Sequence, residues 1–102
     1  MDIMNATSPE VPPSLAELET EQKVVGVKQL KKALRDGRVK RVFLALDADP
    51  EITQSVSQLS SQYGISCVWA ASMADLGKAC GIDVGAAAAA VLNPGAILPG
   101  KA

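Results

Sequence analysis

The chain contains no histidine, and only three of its 102 residues are aromatic: Phe43, Tyr63 and Trp69. Without histidine it lacks the commonest general base, the commonest metal ligand and any histidine-based triad. Three scattered aromatics make a poor stacking platform for single-stranded RNA or DNA. The two cysteines, Cys67 and Cys80, form no CxxC pair. They read as small buried hydrophobes in a reducing interior, not as a disulfide framework or a zinc site. Neither a GxxxxGK[ST] loop nor a GxGxxG turn occurs, so no metal or other cofactor is expected and nothing in the chain asks for an enzyme. No apolar run approaches the ~20 residues that span a bilayer, and the N-terminus has neither the basic start nor the apolar stretch of a signal peptide. Together the cysteine usage and the missing leader and span predict a cytoplasmic protein with no membrane partner. At 102 residues it is expected to form one domain, and a monomer is expected.

Basic residues are missing from the first 22 positions, which hold five acids: Asp2, Glu10, Glu17, Glu19 and Glu21. Eight of the ten Lys and Arg residues then fall between Lys23 and Arg41, against the single acid Asp36. The formal net charge of −1 hides this, because residues 23–102 carry ten bases against six acids, a balance of +4. Positive charge gathered on one segment suits a polyanionic partner; the bland alternative is a solvated lysine-rich face. The opposite charge of the two segments also suggests that residues 1–22 shield the basic face at low salt.

Residues 1–13 are polar and proline-bearing and read as a mobile acidic tail. Ser14 with Glu17 forms a capping box for a short helix that Leu15 and Leu18 would dock. Lys23–Val25 is a short strand ending at Gly26. A helix follows from Val27 to Asp36, with Val27, Leu30, Ala33 and Leu34 facing inward and Gly37 as its C-terminal cap. Lys28 and Lys32 share its polar face, flanked by Gln29 and Lys31. Glycine ahead of the first turn lets a phosphate or base edge approach the unpaired amides there. Val39–Leu46 reads as a buried strand, apolar on both faces after Arg41. Asp49 caps the next helix with Pro50 at its first position, an inner stripe of Ile52, Val56, Leu59 and Tyr63, and Gly64 at its end. Ile65–Ala70 is a strand parallel to the preceding one, with Trp69 in the core. Ser72 and Asp75 cap a short helix that Gly81 stops. The run Gly85–Leu92 is ambiguous: five alanines favour helix, a final edge strand is the alternative, and Asn93-Pro94-Gly95 is a turn either way. Asp47 and Asp49 are too few carboxylates for a divalent cage.

The strings GVKQLKKALRDG, VKRVFLALDADPEI and SMADLGKACGIDVGAAAAAVL occur in that order. With these motifs the chain resembles the kink-turn RNA-binding ribosomal-protein superfamily, whose members include the archaeal L-seven-Ae and eukaryotic L-thirty-e ribosomal proteins and the Gadd-forty-five group. The likeness covers about residues 14–92 and is nearest to the short bacterial branch. It implies an α/β fold, a three-layer α/β/α sandwich around a four-stranded mixed sheet, occupying residues 14–98 with a short tail at 99–102. The alanine run then becomes the last strand, antiparallel to its neighbours.

The resemblance also implies a partner: structured RNA of the kink-turn type, a sharply bent duplex with tandem sheared G·A pairs, with ribosomal RNA and the ribosome as its possible setting. Family members grip it with the glycine and polar residues that open the second helix and with a loop before the last strand. Carried over, these are Gly26, Lys28, Gln29 and Lys32, and the loop Ile82, Asp83, Val84 and Gly85. The archaeal pattern has Asn-Glu where this chain has Lys28-Gln29, so an amide that accepts and donates replaces a carboxylate that only accepts. Read from the residues themselves, Lys28 and Lys32 would contact phosphates and Gln29 the base edges. Lys31 and Arg35 on the same helix, and Lys78 in LGKACG, are further candidate RNA contacts. Ile82 and Val84 would pack on an exposed base or sugar, or else anchor their loop in the core. Asp47 would support the site by orienting Lys32. Preferential binding to the kinked form is enough to hold the RNA in it. The rival reading is a protein-interaction module of the same fold with weak or no RNA binding, docking through the alanine-rich strand.

Overall fold

A 3-10 turn at Pro13–Leu15 leads into α1 (Glu17–Thr20), β1 (Lys23–Val25), α2 (Val27–Arg35), β2 (Val39–Ala45), α3 (Pro50–Gln62), β3 (Cys67–Ala70), α4 (Met73–Cys80) and β4 (Ala88–Leu92). The computed structural model describes residues 13–20 and 22–93. The tail expected over residues 1–13 lies outside that range except for Pro13, as do the C-terminal tail 99–102 and the turn beyond Asn93.

The four strands form one mixed sheet in the order β1-β4-β2-β3. β2 and β3 are parallel, joined through α3, while β4 runs antiparallel to both β1 and β2. Along β2 the side chains alternate as a pleated strand requires. Val42 and Leu44 join Leu30, Ala33, Leu34 and Val56 of α2 and α3 on one face. Phe43 and Ala45 join Leu15, Leu18, Leu76 and Ala79, from the N-terminal turns and α4, on the other. The result is an α/β/α sandwich of three layers, as the resemblance implies.

Ala88, Ala89 and Ala90 are completely buried in β4. Their intrinsic preference is helix, but Ala90 pairs with Val24 on one side and Val42 on the other. Hydrogen-bonded neighbours along both edges and helices over both faces override the propensity. This interior position corrects the edge-strand alternative. It also removes β4 as a docking edge, since the outer strands are β1 and β3.

Other local expectations shift. Ser14 lies inside the 3-10 turn, and no side-chain cap from it is seen among the described residues. Glu17 instead reaches across to β2, where Lys40 Nζ sits 3.0 Å from one carboxylate oxygen and Arg41 donates to the other. The ladder slips between Val39 and Arg41, so Lys40 is an extra residue, and a bulge re-aims adjacent side chains. That lets Lys40 and Arg41 converge on one carboxylate. Tyr63 is the C-terminal cap residue of α3 and 46% exposed, not part of the inner stripe. The buried positions there are Thr53, Val56 and Ser60, the last donating to the Val56 carbonyl at 2.8 Å; such back-bonding satisfies a hydroxyl inside a core. Trp69 is 44% exposed because β3 is an outer strand. The caps at Asp49 and Ser72 form as expected, accepting from Glu51 N at 2.9 Å and Asp75 N at 3.0 Å. No helix among the described residues is long and apolar enough to cross a membrane.

Candidate nucleic-acid interface

The C-terminal ends of β1, β2 and β3 and the start of β4 meet at one end of the sheet. A chain of hydrogen bonds fixes the segments there. Gly26 N donates to Ala88 O at 3.0 Å, Ala45 N to Ala87 O at 3.0 Å, and Leu46 N to Ala70 O at 2.9 Å. Ala86 N donates to Met73 O at 3.0 Å, and Met73 N to Asp47 Oδ1 at 2.7 Å. The start of α2, the turn after β2, the start of α4 and the loop before β4 therefore share one surface.

Gly26 occupies φ 104° and ψ 147°, a region that side-chain-bearing residues avoid. That conformation turns β1 directly into α2. No side chain caps α2, so its first-turn amides have no side-chain partner from the helix start. Lys28 and Gln29 stand exposed beside them, one turn ahead of the exposed Lys32. The positive end of the helix dipole and a lysine thus act on the same spot, which favours a phosphate.

The loop on the other side is held by two close approaches. Gly77, in the middle of α4, has the Val84 carbonyl lying against the place a Cβ would take, only 2.1 Å away. A Cβ on Gly85 would meet Met73 Cβ at 3.0 Å. The loop consequently runs flat along α4. Ile82 turns partly inward against the core, whereas Asp83 and Gly85 are exposed and Val84 is 69% exposed. The structure therefore separates two residues that sequence treats alike: Ile82 is the anchor and Val84 the presented side chain.

Asp47 stands at this end of the sheet, but not in the expected role. It accepts from the Met73 amide at the start of α4, and Lys32 Nζ lies 3.9 Å from the Asp36 carboxylate, one turn along α2. A carboxylate at a helix start is favoured by both the free amides and the dipole, which explains the choice of partner. Sequence reasoning missed Leu46. Read as the end of a buried strand, it lies one residue past β2 and is 65% exposed. Its hydrogen bond to Ala70 keeps it at the surface beside Asp47.

The basic segment does not form one patch. Lys40 and Arg41 close on Glu17, whose burial works against its charge; hydrogen bonds from Arg41 and Lys40 outweigh that and hold its carboxyl below the ordinary value. Arg38 pairs with Asp36 at 2.6 Å. Lys31 donates to Ser55 on α3 at 2.6 Å, and with Arg35 it lines a groove between α2 and α3, away from the loop. Lys78 is exposed on the last turn of α4, at the far end of that helix from Met73 and Asp47. Of the acids at 1–22, Glu17 meets bases, but on β2 and not on the polar face of α2; residues 1–12 lie outside the described range. Burial pushes the Cys80 thiol up, with Lys23 opposing weakly, and both cysteines are free.

The three-layer sandwich thus brings a glycine-led helix start beside a loop pinned on a neighbouring helix, a surface of backbone groups and exposed side chains. The sequence profile of the Ribosomal protein L7Ae/L30e/S12e/Gadd45 family matches residues 14–98, and the chain belongs to that family. An "RNA-binding protein" of Bacillus pumilus is 48% identical over 69 residues, 68% of this chain and 84% of that one. The "Large ribosomal subunit protein eL8" of Halobacterium salinarum is 38% identical over 71 residues, 69% of this chain and 59% of that one. Among solved structures, the Giardia lamblia 15.5kD RNA binding protein superposes with a TM-score of 0.70 at 24% identity, covering 84% of this chain and 83% of that chain. At that identity the superposition speaks for the fold.

Proposed function

We propose that this chain is an RNA-binding protein that recognises and stabilises kink-turn RNA, and that it works in association with the ribosome. The observation that carries the reading is the bond from Gly26 N to Ala88 O. It sets the start of α2 and the loop before β4 side by side, so a bent RNA can be gripped from two directions. Lys28 and Lys32 meet phosphates, the free amides of the first turn add a further donor set, and Gln29 reads base edges of the G·A step. Val84 and Leu46 supply apolar surface for a base or sugar turned out of the stack at the bend. RNA-binding names among relatives that span most of this chain's folded part support the partner class, and the eL8 relative supports the ribosomal setting.

The test is a titration into a labelled kink-turn RNA and into a matched duplex lacking the G·A pairs, at two salt concentrations. The expected result is tight binding to the first, lost in the Lys28→Ala/Gln29→Ala/Lys32→Ala variant and weak for the second. Equal, salt-sensitive binding to both RNAs would reduce α2 to a generic basic helix. Co-sedimentation with purified ribosomes checks the setting; a protein that stays in the supernatant argues for another RNA.

A further inference from the structure

The groove between α2 and α3, about 220 Å³ in volume, is lined by Lys31, Arg35, Ser55, Gln58, Leu59 and Gln62. Its lining contains two cationic side chains, two amides, one hydroxyl and no carboxylate. The acid of α3, Glu51, stands in its first turn and not in the groove. The two walls are matched helical rows. Lys31 and Arg35 are four apart on α2, and Ser55, Gln58, Leu59 and Gln62 follow the i, i+3, i+4, i+7 spacing of one face of α3. Lys31 is drawn across the groove by its 2.6 Å bond to Ser55, which fixes a flexible charge in place before any ligand arrives. Arg35 is exposed and makes no ion pair or hydrogen bond among the described residues, so its fork of donors is free for a bidentate partner.

The groove also continues the proposed interface. Lys28, Lys31, Lys32 and Arg35 form one stripe along α2, and the seven steps from Lys28 to Arg35 span roughly 10 Å at 1.5 Å per residue. A nucleic-acid backbone seated at the start of α2 can run along that stripe. Resting on the kink-turn reading, we infer that the α2–α3 groove is a second phosphodiester site, which takes the backbone of the RNA stem leaving the bend. Arg35 and Lys31 hold the phosphates, and the Gln58 and Gln62 amides donate to phosphate or ribose oxygens. The site adds affinity and fixes the direction of the stem without reading its sequence.

The experiment compares a kink-turn RNA having a long stem on that side with one whose stem is cut short at the bend. Lys31→Gln/Arg35→Gln is expected to weaken long-stem binding about tenfold and to make the plot of log affinity against log salt shallower by about two. Gln58→Ala/Gln62→Ala changes no charge, and is expected to weaken long-stem binding by about threefold, a single net hydrogen bond's worth, with the slope unchanged. Neither variant should alter binding to the short-stem RNA. Thermal midpoints check the fold, and Arg35→Gln alone serves should loss of the Ser55 bond lower stability. If both variants act equally on the two RNAs, or the glutamine variant has no effect, the groove is generic positive surface and the inference is overturned while the kink-turn reading stands. If wild type binds neither RNA, the kink-turn reading itself fails and takes the groove with it.

Discussion

Gly77 and Val84 are in contact through backbone: a Cβ built on Gly77 would lie 2.1 Å from the Val84 carbonyl oxygen. No side-chain-bearing residue fits there unless the loop lifts off α4. Two effects oppose each other in Gly77→Ala. Alanine gains about 1 kcal/mol of helix propensity over glycine, while a clash with backbone inside a packed interface costs typically 1–3 kcal/mol. Because the obstructing atom belongs to the main chain and not to the far end of a flexible side chain, the clash should win. The expected outcome is a lower thermal midpoint and weaker RNA binding together. A midpoint equal to or above that of wild type would show that the loop moves aside freely.

Glu17 gives a prediction in pH. Its carboxyl lies below the ordinary value although burial pulls the other way, because Arg41 and Lys40 hydrogen-bond to it. A carboxylate whose pKa is lowered by folding stabilises the fold fully above its unfolded value, near 4.5, and loses that contribution as pH falls through the lowered folded value. Lys40 and Arg41 are each more than a third exposed, so solvent screening keeps the contribution small, about 1 kcal/mol. Glu17→Gln should therefore lower the thermal midpoint by roughly 4–8 °C at pH 7. The gap should close as pH drops below the ordinary carboxylate range. A gap that persists undiminished at pH 3 would place the effect in packing.

Much of the fold can be read from punctuation and periodicity. The glycines at 26, 37, 64 and 81 all sit at helix starts or ends with positive φ, and the Asp49 and Ser72 caps form where their spacing puts them. Two kinds of information are not local. Whether five alanines form helix or strand depends on β1 and β2 closing on both sides, and only the resemblance to a known family anticipates it. Exposure at the sheet margin depends likewise on strand order. Leu46 and Trp69 have core chemistry, and nothing within a few residues of either shows that one lies past a strand end and the other on an outer strand. In the candidate site, Gly26, Lys28 and Gln29 were legible because a glycine-led helix start is a sequence feature. The pairing of Asp47 with Met73 spans 26 residues and becomes visible only once β2 and α4 are set side by side.

That pairing can be separated from the lysine-orienting role. Asp47 Oδ1 accepts from Met73 N at 2.7 Å, so Asp47→Ala leaves an amide at the start of α4 without its partner, at a cost of about 1 kcal/mol. Asp47→Asn keeps an acceptor oxygen and loses only the charge facing the helix dipole, a few tenths of a kcal/mol. The expected order of thermal midpoints is wild type, then asparagine close behind, then alanine. Amide exchange at Met73 should accelerate in the alanine variant. Were Asp47 to act by orienting Lys32, both substitutions would spare the midpoint and Met73 exchange, and would change RNA affinity alone.

Val84 and Ile82 separate binding from folding in one loop. Val84 is 69% exposed, and surface substitutions of this kind stay within about ±0.5 kcal/mol of wild type. Val84→Ser should accordingly leave the thermal midpoint within a few degrees. If the valine packs on a base or sugar at the bend, it buries apolar area that serine cannot replace. Complete burial of such a side chain contributes about 1.5–3 kcal/mol, and partial burial against one base should give an affinity loss of about tenfold. Ile82 packs against the core cluster that includes Leu76 and Ala79, so Ile82→Ser should lower the midpoint clearly and reduce binding only through the loop it anchors. Binding by Val84→Ser that matches wild type at both salt concentrations would remove the loop from the interface. Recognition would then rest on the start of α2 alone, and the hydrogen bond from Gly26 to Ala88 would be a feature of folding and not of RNA capture.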